Sequence, residues 1–209
     1  LMLSKTITAG GDTASHYYPA KYLKEYLLPK GEIVGWCPGN YAGFPMFQFY
    51  FPLAFVLMVF LSYFIPLQIS FKLITALGTF LLPPCAFFSL RAMKFKFPLP
   101  AIGAIFTLPF LFMEANSMWG GNIPSTLAGE FSYSLSLSLT ILFFGTLYQG
   151  IKENKHWLGN AVLLAIITFT HVYTLLWVIL SSSFLLLVKK REFIPRFTYL
   201  FKTYLLAFL

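Results

Sequence analysis

The chain has 209 residues and a net charge of +8, from 15 Lys and Arg against 7 Asp and Glu, yet only 11% of it is charged while 58% is hydrophobic and 20% aromatic. A soluble domain carries about 25% charged and about 45–50% apolar residues. The composition therefore excludes a water-soluble globule, a disordered tail and a nucleic-acid binder with a basic face. It points to an all-α fold, a polytopic bundle of transmembrane helices. Cys37 and Cys85 have no CxxC spacing, so neither a disulfide framework nor a metal site is indicated. The chain opens Leu1-Met2-Leu3 without a basic n-region and closes inside the apolar run 204–209, which reads as a piece of a longer membrane protein.

In chain order, residues 4–46 form the one long polar stretch, with Asp12, His16, Glu25, Glu32 and the glycine-rich pieces around Gly10-Gly11 and 31–43. Residues 1–47 are expected to be an external loop that carries an amphipathic helix. From residue 48 to 209 the chain is expected to be membrane-embedded. A span takes about 20 apolar residues, and the candidates are 67–90, 98–113, 129–149 and the 32-residue run 157–188, with a further span beginning at 197–209. At 1.5 Å per residue the run 157–188 would be about 48 Å long as one helix, too long for one crossing. It is therefore split near His171 into 157–171 and 172–188, although no Gly or Pro marks the turn.

Charge orients these spans. Arg91/Lys94/Lys96, Lys152/Lys155 and Lys189/Lys190/Arg191/Arg196 hold nine of the 15 basic residues, whereas 114–128 has no Lys or Arg. The positive-inside rule puts the three basic connections in the cytoplasm and 114–128 outside. Segment 48–65 then has two placements, as a span or as an interfacial segment. Its aromatic opening, Phe47-Gln48-Phe49-Tyr50-Phe51-Pro52, favours the interfacial one.

This arrangement gathers acids on the outer side. Asp12, the sole aspartate, follows two glycines and precedes His16 by four residues, the helical spacing that puts two side chains on one face. It reads as a catalytic carboxylate or as a helix N-cap. Glu114 follows an apolar run, where a carboxylate opposes the helix dipole, and is a second catalytic candidate. Glu130 opens the next run and reads as a cap or a ligand contact. Between them, Asn116, Trp119 and Asn122 lie in a glycine-rich loop with amide and indole donors, equipment that suits a polar ligand such as a sugar. His171 reads as a helix–helix hydrogen bonder or a binding residue. No phosphate-binding glycine loop with Lys, HExxH, GxSxG or Cys/His zinc spacing occurs.

Four pieces carry a resemblance: Gly11-Asp12-Thr13-x-Ser15-His16, then 41–52 with its Gly43-Phe44-Pro45 and Phe49-Tyr50-Phe51-Pro52, then Trp119-Gly120-Gly121-Asn122, then 127–132. Together they resemble the bacterial and archaeal "6-pyruvoyl-tetrahydropterin synthase-related" membrane family, grouped with the GT-C glycosyltransferases. The resemblance implies a multi-pass cell-membrane protein with juxtamembrane helices in its first external loop and a lipid-phosphate-linked sugar donor. It also implies an acid in that loop at Asp12 and a second acid at Glu114. The Asp-x-Asp or Asp-Glu pair usual in GT-C enzymes is absent, so a divalent metal is left an open cofactor. The expected function is transfer of a sugar from a polyprenyl-phosphate donor, with membrane lipid as partner and no nucleic acid. The alternatives are a lipid or solute transporter and a non-catalytic membrane subunit.

Overall fold

The computed structural model describes residues 2–7, 10–39, 41–188 and 190–209, without the side chain of Lys190. Lys189, one member of the third basic connection, lies outside the described residues.

The first loop is folded. Helix α1 (Thr13–Tyr22) continues through a π turn (Leu23–Leu27) and a 3₁₀ turn (Leu28–Lys30) to Gly31, whose φ of +76° ends it. Its inner stripe, Ala20, Leu23 and Leu27, is buried at three- and four-residue intervals. A two-stranded antiparallel hairpin follows, β1 (Gly35–Cys37) on β2 (Phe44–Met46), paired Gly35 to Met46 and Cys37 to Phe44. Helix α2 (Leu53–Leu61) is wholly apolar but only about 14 Å long, too short to cross a bilayer. It packs into the same cap, where Ser70 Oγ donates to the Met58 carbonyl. Phe55, Met58, Phe71 and Phe131 close this core.

Beneath the cap lies a bundle. Helices α3 (Leu67–Ala92) and α7 (Phe131–Glu153) are long and apolar enough to span a membrane. They run parallel and very close. Gly78 faces the backbone of Ser134 and Leu135, Gly145 faces Ser89, and an added Cβ at either glycine would lie within 2.4 Å of backbone atoms. Ser138 Oγ donates to the Gly78 carbonyl at 2.7 Å, and the far ends meet in a Lys94–Glu153 ion pair of 3.3 Å.

The run 98–113 folds as two short helices, α4 (Leu99–Ile105) and α5 (Thr107–Leu111), stepping back along α3 rather than forming one rod. Pro109 lacks a backbone donor and would be interior to a single rod, which weakens a continuous helix there, whereas Pro100 sits in the tolerant first turn of α4. Helix α6 (Ile123–Ala128) forms the corner before α7.

Helices α8 (Trp157–Thr170) and α9 (Val172–Leu187) meet at His171, whose extended backbone (φ −166°, ψ 123°) makes the break. Helix α8 runs antiparallel to α7, with Asn160 near Thr146 and Ser136 near Ile167. Helix α9 turns back, and its end is held where Arg196 Nη1 donates to the Leu185 carbonyl at 2.6 Å. Helix α10 (Phe193–Ala207) then follows α8, fixed by Tyr199, which accepts from Asn160 and donates to the Lys155 carbonyl. Phe143, Leu147, Leu164, Ile167 and Val178 fill the bundle core.

The two ends of the bundle differ in charge. Arg91 and Lys152 lie in the last turns of α3 and α7, Lys94, Lys96 and Lys155 just beyond them, and Arg196 in the first turn of α10, all at one end. Asp12, Glu130 and the cap stand at the other.

Candidate functional site

Two glycine corners bring the first loop onto the start of α7. Gly10 and Gly11 take φ of +145° and +47°, and Gly129 takes +131°. The Asp12 amide donates to the Ala128 carbonyl at 2.7 Å, and Thr13 Oγ1 donates to the Leu127 carbonyl at 2.5 Å. A Cβ at Gly11 would lie 2.3 Å from that same Ala128 oxygen, so the approach requires glycine.

Asp12 therefore stands directly over Gly129 and beside Glu130. Although it precedes α1, its side chain makes no capping hydrogen bond. Glu130 precedes α7 and likewise makes no cap. Neither carboxylate is spent on a helix end. Half-burial, together with the negative charge of Asp12, pushes the Glu130 carboxyl above its ordinary range.

His16 packs between these acids and the cap core. Its ring meets the edge of Phe131 at 5.3 Å and lies 5.5 Å from Tyr50 and 6.0 Å from Phe55. Burial pulls its pKa below 6.5, with the Asp12 charge acting in the opposite direction, so His16 is neutral at pH 7 and able to accept a proton. Tyr50 completes the group. Burial and then the charges of Glu130 and Asp12 push its phenol up to about 12, against an opposing influence from the Ser132 hydroxyl. It thus stays protonated and keeps its hydroxyl proton to donate.

Sequence reasoning missed Tyr50 as a site residue by reading 47–52 as an interfacial aromatic run. The signal was its hydroxyl, the one polar handle among Phe47, Phe49 and Phe51.

A cavity of about 850 Å³ opens beside His16 and Tyr50, walled by Tyr18, Phe44, Met46 and Phe49. Among the described residues no Lys or Arg lines it.

His171 flanks the group. Its buried ring lies 5.1 Å from Phe51, 5.3 Å from Tyr133 and 5.4 Å from Tyr173, and its Nδ1 has no hydrogen-bond partner among the described residues. Phe51 in turn packs on Tyr50 at 5.8 Å, so one aromatic ring separates His171 from the Tyr50 side.

The 113–122 loop serves a different purpose. Asn122 is buried and fully used: its Oδ1 accepts from the Ser125 amide, and its Nδ2 donates to the Met113 and Asn116 carbonyls at 2.7 Å. It is the N-cap of α6. The Asn116 carbonyl also accepts from Ser125 Oγ. Trp119 is 78% exposed, and Glu114 is exposed with no ion pair among the described residues. The loop rests on Tyr133, since a Cβ at Gly120 would lie 2.3 Å from that ring. The structure thus unites Asp12, His16 and Glu130 with Tyr50, sets His171 beside them, and leaves Glu114, Asn116, Trp119 and Asn122 in a neighbouring loop. Among the described residues no three His, Cys, Asp or Glu side chains gather closely enough to hold a metal ion.

No curated protein and no solved structure shows a significant match to the chain. A family model does match, over residues 47–208, a stretch that includes Tyr50, Glu130 and His171 and begins after Asp12 and His16. With most of its length matched, the chain belongs to the 6-pyruvoyl-tetrahydropterin synthase related family, a family of membrane proteins.

Proposed function

We propose that this chain is part of a multi-pass glycosyltransferase of the GT-C kind, moving a sugar from a polyprenyl-phosphate donor to an acceptor hydroxyl on the outer face of the cell membrane. The observation that carries the reading is the Asp12 carboxylate, unspent as a cap and held by the Gly11–Ala128 contact beside Glu130, His16 and Tyr50. A general base must come within about 2.6–3.2 Å of the proton it takes. Asp12 is exposed and lies one helical turn before His16, which lines the aromatic cavity, and the proposal has the acceptor enter from that side.

In the proposed step the acceptor oxygen attacks the anomeric carbon, the bond from that carbon to the donor phosphate breaks, and the hydroxyl proton passes to Asp12. The leaving group is a lipid phosphate, which accounts for the missing nucleotide motifs. Neutral His16 and the Tyr50 hydroxyl orient the acceptor. The leaving phosphate calls for a cation. Lys24 already donates to the Ser62 carbonyl, whereas Lys21 is half exposed and only loosely paired, 4.0 Å from Glu25.

The test uses the protein in membranes of the cells that make it, which supply the acceptor, with added polyprenyl-phosphate hexoses, and reads release of polyprenyl phosphate, a product common to every acceptor. Wild type should release it. Asp12→Asn should lower the rate by about 100-fold or more with an unchanged thermal midpoint, because no cap bond is lost. Near-full activity in the variant would remove Asp12 from the chemistry, and no release by wild type from any hexose donor would sink the transferase reading.

A further inference from the structure

At the opposite end of the bundle, away from Asp12, a second cavity of about 520 Å³ lies between the C-terminal ends of α7 and α9 and the start of α10. Its walls have two characters. Ile151, Leu185 and Val188 are apolar, while Lys152, Asn154 and Arg196 supply polar donors.

The charges are unequally committed. Glu153 is held by Lys94 at 3.3 Å. Glu192, which also lines the cavity, is gripped by Arg196 through Nε at 3.2 Å and Nη2 at 2.8 Å. Lys152 is exposed and has no ion pair among the described residues. From the first turn of α10, Pro195 and Arg196 face the same space; Pro195 has no N–H, so the polar group this turn supplies is the Arg196 guanidinium. The net character is cationic at the rim and apolar along the helix flanks.

We propose that this cavity is a binding site for an anionic phospholipid from the leaflet at the basic end. The phosphate sits against Lys152, Asn154 and the first turn of α10, and the acyl chains lie along Leu185 and Val188. A free phosphate has the same charge but no use for the apolar flank. A lipid uses both, and basic pockets between membrane helices take acidic head groups for this reason.

The protein is reconstituted in phosphatidylcholine nanodiscs with increasing phosphatidylglycerol, and retained lipids are counted by native mass spectrometry. Wild type should retain phosphatidylglycerol in preference to phosphatidylcholine. Lys152→Ala should weaken retention about fivefold, the effect of one cation at a membrane surface. Leu185→Asn, which makes the apolar flank polar and leaves every charge in place, should weaken it as well. Lys155→Ala, outside the cavity lining, should leave it unchanged. Equal losses in Lys152→Ala and Lys155→Ala, or unchanged retention in Leu185→Asn, would show attraction to a basic surface and overturn the site. Displacement of phosphatidylglycerol by millimolar inorganic phosphate would overturn the lipid assignment.

Discussion

The backbone amide of Asp12 donates to the carbonyl of Ala128 at 2.7 Å, across 116 positions of sequence. With the neighbouring bond from Thr13 Oγ1 to the Leu127 carbonyl, it docks the first loop onto the corner between α6 and α7. The sole aspartate is thereby placed next to Glu130, the residue that opens a helix long enough to span a membrane. The same corner turns the Phe131 ring toward His16 and Phe55, so docking of the loop and closure of the cap core are one event.

Gly11→Ala should break that docking. Gly11 has φ of +47°, and its missing Cβ would meet backbone, Ala128 O at 2.3 Å and Ala128 C at 3.0 Å, with no flexible side chain able to yield. The left-handed conformation alone costs a non-glycine residue roughly 1–2 kcal/mol, and the overlap adds to it. The expected outcome is a lower thermal midpoint in detergent and loss of lipid-phosphate release, with helical circular dichroism retained because α3 and α7 pack independently of this corner. A variant with wild-type midpoint and rate would show that the close approach is dispensable.

Glu130→Gln should change the pH dependence of stability in a defined direction. A carboxyl whose pKa is raised on folding binds more protons folded than unfolded, so its share of stability is full at low pH and declines as pH rises above the unfolded value. His16 acts oppositely. Its lowered folded pKa means that stability is lost as pH falls below 6.5, where the unfolded chain takes up a proton. In wild type the two partly cancel between pH 4.5 and 6.5. Removing Glu130's titration should leave the acid-side loss uncompensated, so that the melting curve against pH is steeper below 6.5. Parallel curves for wild type and variant would mean that neither burial nor Asp12 raises the Glu130 carboxyl on folding.

The membrane class was legible because burying apolar helices in lipid demands a composition that nothing soluble shares. Helix positions were legible where long apolar runs persist, as at 67–92 and 131–153, since lipid and the bundle core select the same residue types. The 98–113 run shows the limit. Hydropathy counts its residues as one span, while the backbone breaks at Phe106, three residues before Pro109. At His171 the helix breaks with neither Gly nor Pro, and length alone pointed to a turn there. The site was less legible. Asp12 and His16 stood out as rare polar residues, but Glu130 reads as a cap and Tyr50 as one ring among many. Only tertiary contact through Gly11 and Gly129 turns these four into neighbours. Asn122 resembled a ligand contact because a buried cap and a binding amide look alike in sequence.

The side of the membrane on which this group lies is tested by cysteine accessibility. Cys37 is fully buried, with its Sγ 3.3 Å from the Tyr18 hydroxyl, and Cys85 is buried within α3. In the native protein neither should react with an impermeant maleimide, and both should react after denaturation. Glu32 lies in the exposed turn between the first helix and β1, at the same end as Asp12. Glu32→Cys in a Cys37→Ser background provides a reporter that leaves Asp12, His16, Tyr50 and Glu130 untouched. The three basic connections at the other end favour the cytoplasm, so the reporter should be labelled on intact cells, at a rate that permeabilisation leaves unchanged. A cysteine introduced at Lys155, at the basic end, should show the reverse. If Glu32→Cys reacts only after permeabilisation, the carboxylate pair faces the cytoplasm, the charge rule has failed for this chain, and transfer on the outer face is ruled out whatever Asp12 does.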